Sequence, residues 1–358
     1  MDKLTTIGID LAKEVIAVCV MDQHGHMVEQ RVLRREAFER WAAQLPSCTV
    51  AMEACSSAHH WGRWFAARGH AVRLIAPEFA IASRKGGKND TADAQAIAIA
   101  IAALQPTMRF VPVKTVEQQA ILAWHSCREG WIKERTALIN RARALLTEFG
   151  LVIPRCAERI LTALPTLVDD PRLPDPIHAL LLEMREQLAI LHARLSRCDA
   201  HISAHAKSNA TAKRASELTG VGPLTASALA AVVPNAKAFK NGRQFGAWLG
   251  LTPSQHSSGG KTRLGRISLR GNRYLRMLLV MGARSALRSA LKAESSNATR
   301  LQRWVQALYE RKGYFKTLIA IANKNARMLW AMLAKGERYD ASAWERCSRN
   351  PNAAVASH

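Results

Sequence analysis

The chain has 358 residues and carries 51 Lys and Arg against 28 Asp and Glu, a formal charge of +23. That length exceeds the need of one ordinary domain and suits two or three, while 48% hydrophobic and 22% charged residues exclude global disorder. The longest nearly uncharged apolar run, Ala94 to Leu104, is about half of the ~20 residues that a membrane-spanning helix requires. No membrane partner is therefore expected.

No basic-then-apolar secretory segment opens the chain. The seven cysteines (Cys19, Cys48, Cys55, Cys127, Cys156, Cys198, Cys347) form no CxxC pair and are odd in number. Structural zinc and a disulfide framework are disfavoured, and a reducing cytoplasm is expected. The charge is concentrated. Residues 1–110 and 111–210 each hold 13 basic and 11 acidic residues, whereas residues 211–340 hold 23 and 5. A local field of that size is the footprint of a polyanion-binding surface, and nucleic acid is the expected partner.

In chain order, Thr5–Asp10, Val15–Val20 and Met27–Leu33 read as strands of a meander, with a turn at Asp22-Gln23-His24-Gly25. A helix over Glu36–Gln44, a strand over Cys48–Ala54, a helix over Ala58–Arg68 and a strand over Ala71–Ala76 follow. The loop Ser83–Asn89 then leads into an Ala/Ile-rich helix from Asp90 to Leu104. This order indicates a mixed α/β domain over residues 1–110. It is not a doubly wound nucleotide fold, because no glycine-rich phosphate loop follows the first strand.

The region 111–210 reads as helical. Ile177, Leu181, Met184, Leu188, Leu191, Leu195, Cys198 and Ile202 recur at alternating spacings of four and three, the a/d seam of a coiled coil. A long helix from Val116 to Phe149 is a candidate antiparallel partner, with Pro154, Pro165, Pro171, Pro174 and Pro176 marking an irregular connection. A buried helix pair and a dimerisation arm both explain the seam.

Four carboxylates stand at informative places: Asp10 in the first strand, Glu53 at the end of the strand Cys48–Ala54, and Asp90 and Asp93 opening the last helix of the α/β region. A charge amid apolar strand neighbours is costly unless it is paired or bound to a cation. Asp90 and Asp93, three apart, share a helix face where like charges repel. Such oxygens suit magnesium, with two ions ~3.5–4 Å apart clamping a phosphodiester. Structural roles remain open for each: Asp10 capping a turn, Glu53 meeting an arginine, and Asp90 and Asp93 favouring a helix N-terminus.

Gly8-Ile9-Asp10-Leu11-Ala12-Lys13, Met52-Glu53-Ala54 and Lys88-Asn89-Asp90-Thr91-Ala92-Asp93-Ala94 resemble the Asp–Glu–Asp–Asp (DEDD) signature of insertion-sequence transposases related to the pilin-gene invertase. The resemblance covers nearly the whole chain. It implies an RNase H-like, RuvC-like N-terminal domain in which Asp10, Glu53, Asp90 and Asp93 hold Mg²⁺ or Mn²⁺.

Residues 211–340 form the expected basic, mainly helical domain, and 341–358 a loose tail. Leu218-Thr219-Gly220-Val221-Gly222-Pro223 has the form of a helix-hairpin-helix turn, whose Gly220 and Gly222 would let backbone N–H groups approach phosphate. A plain turn using glycine for positive φ is the alternative. Further on, Gln255-His256-Ser257-Ser258-Gly259-Gly260-Lys261 precedes Arg263, Arg266, Arg270, Arg273 and Arg276, with no acidic residue between Ser258 and Arg276.

On chemistry alone the two serines are polar loop residues, since a hydroxyl needs activation before it attacks. The family resemblance implies that Ser258, next to the first glycine, is a nucleophile forming a transient phosphoserine link. Lys261 and the arginines would contact phosphates. The resemblance also implies a structured guide (bridge) RNA that pairs with element-end and target DNA. Carboxylates and serine lie about 165 residues apart. They serve one reaction only if their regions fold together or if two protomers contribute one each, so a homo-oligomer, dimer or tetramer, is expected. A water-using nuclease or junction resolvase, and a non-catalytic nucleic-acid-binding protein, are the alternatives. His59-His60 and His24/His26 lack a third ligand at metal spacing and read as surface residues.

Overall fold

The computed structural model describes residues 6–77, 79, 99, 101, 103–105, 109–154, 157–255, 263–294 and 296–340. The chain divides into two compact units, Met1–Glu117 and Gln118–His358.

In the first unit, β1 (Thr6–Leu11), β2 (Val15–Met21) and β3 (Met27–Arg34) form the expected antiparallel meander. β4 (Thr49–Glu53) and β5 (Ala71–Ile75) then add in parallel, and β6 (Phe110–Val111) pairs antiparallel with β5. The sheet order is β3-β2-β1-β4-β5-β6. Period-two alternation sends Ile7, Ile9, Ile16, Val18, Val50 and Met52 to one face. There they meet Phe38 and Ala42 of α1 (Arg35–Ala43) and Trp61 and Phe65 of α2 (Ala58–Ala66). Phe38 and Trp61 pack edge to face with centroids 4.9 Å apart.

Among the described residues, the opposite face carries Ala17, Cys19 and Met21 on β2, and Ala51 and Ile75 with the helical residues Ile99 and Ala103. A mixed α/β sheet here and a helical second unit fit the RNase H-like fold that the resemblance implied. The loop Ser83–Asn89 and Asp90 to Ala98 of the expected helix lie outside the described residues.

The second unit begins two residues into α3 (Val116–Glu148) and continues with α4 (Ala157–Leu167) and α5 (Asp175–Ser208). Helices α3 and α5 run antiparallel: Trp124 stacks on His201 at 4.0 Å, Arg128 pairs with Asp199 at 2.6 Å, and Arg194 lies 5.8 Å from the Trp131 ring. Leu181, Met184, Leu188, Leu191, Leu195, Cys198 and Ile202, seven of the eight a/d positions, are buried within this single chain, and Ile177 is half-buried. The connection holds a helix the prolines did not suggest. Ile160 and Leu164 bury into the cluster around Leu138 and Leu188, and that burial sustains α4 despite Pro165 within it.

The unit continues without a break at residue 210 through α6 (Ala210–Ala215) and α7 (Pro223–Val232), a 3-10 turn (Ala236–Ala238) and α8 (Gly242–Trp248). A two-stranded hairpin of β7 (Pro253–Gln255) and β8 (Leu264–Ile267) comes next. Last are α9 (Arg273–Lys292), α10 (Arg300–Lys312) and α11 (Tyr314–Lys335). Leu275, Leu279 and Leu287 of α9 share one core with Ile321, Ala322 and Leu329 of α11. No helix among the described residues is long and apolar enough to cross a membrane.

Candidate active site and nucleic-acid interface

Strand register brings two of the expected carboxylates together. Ile9 of β1 pairs with Met52 of the parallel strand β4, so Asp10 and Glu53 are the next residues of adjacent strands. With Ile9 and Met52 pointing into the core under α1 and α2, both carboxylates leave the opposite face. That face also bears Ala17, opposite Asp10, and Ile75, opposite Glu53. Ile75 packs against Ile99 and Ala103 there. Asp90 and Asp93 themselves lie outside the described residues.

Cys55 reports the local field. Burial pushes its thiol pKa up, and the neighbouring charges of Glu53 and Asp10 push it further, against one backbone hydrogen bond that lowers it. The strand register places two carboxylates at this edge, and carboxylate oxygens suit a hard cation such as Mg²⁺ or Mn²⁺. Among the described residues no group of three or more His, Cys, Asp or Glu is gathered closely enough to hold a metal.

In the second unit, the segment with Ser257, Ser258 and Lys261 is the connection between β7 and β8, and lies outside the described residues. Its flanks are tightly held. Ser254 Oγ donates to the Arg266 carbonyl at 3.1 Å, and Gly271, at φ +72°, sits where a Cβ would lie 1.7 Å from the Trp248 carbonyl oxygen. Arg263, Arg266, Arg270 and Arg273 are exposed, as phosphate-contacting groups must be. Arg276 corrects the expectation. It is buried, and its Nη1 donates to the Leu249 and Arg270 carbonyls at 2.9 and 2.8 Å, so it braces the base of the hairpin instead of facing a ligand.

The glycine turn joins α6 to α7, and its two expected glycines divide. Gly220 has φ +87° and packs backbone to backbone against α9: a Cβ on Gly282 would lie 1.8 Å from the Gly220 oxygen. Its freedom is thus spent within the chain. Gly222, the N-cap of α7, has nothing within 4 Å of a Cβ position.

The sequence matches the family described as Transposase IS116/IS110/IS902 over residues 212–300, and a transposase profile of the DEDD, IS110 type over residues 7–150. A Pseudomonas aeruginosa protein named probable family 20 transposase is 45% identical over 94% of this chain and 98% of its own length. The chain belongs to the IS110 family of insertion-sequence transposases. In the same family, the transposase for insertion sequence element IS1111A of Coxiella burnetii is 38% identical over 96% of this chain and 93% of its own. That for IS1328 of Yersinia enterocolitica is 35% identical over 94% and 98%.

This IS110-family chain also carries two polar clusters that sequence reading missed. In the second unit, His125 Nδ1 lies 2.9 Å from the Tyr274 hydroxyl, and its Nε2 lies 3.0 Å from Ser227 Oγ, which in turn lies 2.9 Å from His205 Nδ1. Ser227 has one hydroxyl proton to give, so one ring accepts while the other donates, and the tautomers are coupled. Burial, then His205 and Arg128, lower the His125 pKa to about 4. Burial is also the main cause raising Tyr274 to about 12. In the first unit, His59 is half-buried instead of on the surface. Its Nε2 lies 2.6 Å from Lys114 Nζ, and burial, then Lys114 and Arg63, lower its pKa to about 4. Neither histidine is flagged by periodicity, because each partner is at least 55 residues away.

Proposed function

We propose that this chain is a DNA transposase that cleaves and exchanges strands at insertion-sequence ends, with Asp10, Glu53, Asp90 and Asp93 holding divalent metal and Ser258 as nucleophile. The observation that supports this most is the juxtaposition of Asp10 and Glu53 on one sheet face. Asp93 and Asp90 precede Ile99 by six and nine residues, and Ile99 packs over that same face. When bound, a Mg²⁺ or Mn²⁺ ion supplies positive charge against the phosphodiester oxygens. Asp10 and Glu53 contribute oxygen ligands on a rigid strand pair.

Ser258 Oγ attacks phosphorus and gives up its proton. The bond from phosphorus to the leaving sugar oxygen breaks, and that oxygen takes a proton up. One phosphoester replaces another, so the link retains the energy needed for rejoining. Lys261, Arg263, Arg266, Arg270 and Arg273 neutralise backbone phosphates, and Gly222 at the start of α7 lets a phosphate approach.

A structured guide RNA, element-end DNA and target DNA are the partners of this reading, with the chain acting as a dimer or tetramer in the cytoplasm. The test is cleavage of element-end DNA by the purified protein and its copurifying RNA. Cleavage that requires Mg²⁺ or Mn²⁺ and disappears in Glu53→Gln supports the metal role. Cleavage undiminished by chelation or by that substitution refutes it.

A further inference from the structure

Helix α9 follows the β7–β8 hairpin and turns one face to solvent along its length. At the helical step of 3.6 residues per turn, Arg273, Met277, Met281, Arg284, Arg288 and Lys292 fall within one sector about 100° wide, and all six are exposed. Leu275, Leu279, Ala283, Leu287 and Ala290 lie on the far side, in the core shared with α11. The first acidic residue after Ser258 is Glu294, beyond the end of the helix. Among the described residues no carboxylate pairs with any of the four cations. Arg284 donates to the Met281 sulfur at 3.7 Å, a weak contact that leaves the other N–H groups of its guanidinium to a ligand.

The face is held firmly against the hairpin base. Asn272 Oδ1 accepts from the Leu275 N–H at 2.9 Å and caps the helix. In the first turn, Arg276 donates to the Leu249 and Arg270 carbonyls at 2.9 and 2.8 Å. Whatever docks on α9 is thereby set in register with the strands that flank the Ser258 segment.

The composition of the face narrows its partner. Met277 and Met281 are 42% and 52% exposed, two apolar side chains set among cations. A second copy of this face laid upon it would oppose like charges. A B-form DNA duplex offers what both residue types need: phosphates at the rim, and thymine methyl groups on the floor of a major groove wide enough for an α-helix. RNA lacks that methyl, and its A-form major groove is too narrow for side chains to read.

We propose that α9 lies in the major groove of a DNA duplex, with Met277 and Met281 against thymine methyls and Arg284, Arg288 and Lys292 on phosphates and base edges. The proposal rests on the reading of the second unit as DNA-binding, and it names the element and the groove.

The experiment measures anisotropy of the full-length protein with three A·T-rich duplexes of one sequence, about 20 base pairs or two helical turns long. They are DNA, the same DNA with deoxyuridine for thymidine, and RNA. The deoxyuridine duplex lacks only the major-groove methyls. The wild type is expected to bind the thymidine duplex tightest, by about fourfold for each methyl buried, and RNA weakest. Met277→Ser combined with Met281→Ser should abolish the thymidine preference and keep the salt slope. Arg284→Gln combined with Arg288→Gln should lower that slope on DNA by about two. Should either variant melt early, photo-crosslinking of the wild type to a 5-iododeoxyuridine duplex decides: adducts on α9 support the proposal and their absence overturns it. Equal binding of the two DNA duplexes, or RNA bound as tightly, overturns the groove. A thymidine preference that survives in the methionine variant, or a slope unchanged in the arginine variant, overturns the role of α9. In each of those cases the protein still binds DNA. A wild type that binds none of the duplexes refutes the DNA-binding reading beneath the proposal.

Discussion

Asp10 and Glu53 each stand one residue beyond the paired Ile9 and Met52 on adjacent parallel strands, so their carboxylates share one face of the sheet. A cation bound there stabilises the folded chain over the unfolded one by mass action. Adding Mg²⁺ should therefore raise the melting temperature of the wild type by a few degrees, and the shift should vanish in Asp10→Asn. An equal shift in that variant would place the cation elsewhere.

Arg276 and Arg266 belong to one basic run and have opposite fates. Arg276→Ala removes the donor from two carbonyls at the hairpin base and should cost about 2 kcal/mol or more in denaturant unfolding. Arg266→Ala, at an exposed position, should leave stability within about 0.5 kcal/mol. It should lower the salt slope of DNA binding by about one. Equal stability effects would contradict the division.

Gly282 is a helix-interior glycine where alanine ordinarily stabilises by about 1 kcal/mol. Here a Cβ would lie 1.8 Å from the Gly220 oxygen. Gly282→Ala should instead destabilise, read as an earlier thermal transition, because α9 and the glycine turn would have to separate. A higher melting temperature would show that the two backbones are not in contact.

His59 and His125 have folded pKa values lowered from 6.5 to about 4, and burial lowers His70 in the same direction. Between those values the unfolded chain binds protons that the folded chain does not. Stability is therefore fully present above about pH 6.5 and falls as pH drops toward 4. Melting temperatures should decline by several degrees from pH 7 to 5. The slope should flatten in His59→Asn combined with His125→Asn, and an unchanged slope in that double variant would reassign the effect.

Legibility followed the range of the interactions. Strands β1 to β5, helices α1 and α2 and the α5 seam were readable because apolar period and turn chemistry are local. The pairing of α3 with α5 followed from two long helices with facing apolar stripes. Strand β6, at two residues, is too short to carry a period. Helix α4 was hidden by its proline, since burial of Ile160 and Leu164 is a tertiary effect. Arg276 looked like its exposed neighbours because nothing in its flanks signals that it folds back on Leu249. The Ser227 network joins residues from four helices, and no spacing encodes that meeting. Of the candidate site, Asp10 and Glu53 stood out as charges in apolar strands and share one sheet face, whereas Gly220 disclosed its positive φ but not its contact with α9.

Covalent capture decides whether the carboxylates and the serine serve one strand-transfer reaction. The protein with its copurifying RNA is incubated with element-end DNA and Mg²⁺, denatured and resolved on a gel. A protein–DNA adduct that disappears in both Ser258→Ala and Asp10→Ala is the expected result. Free cleaved ends without an adduct, persisting in Ser258→Ala, would contradict it and identify a hydrolytic nuclease.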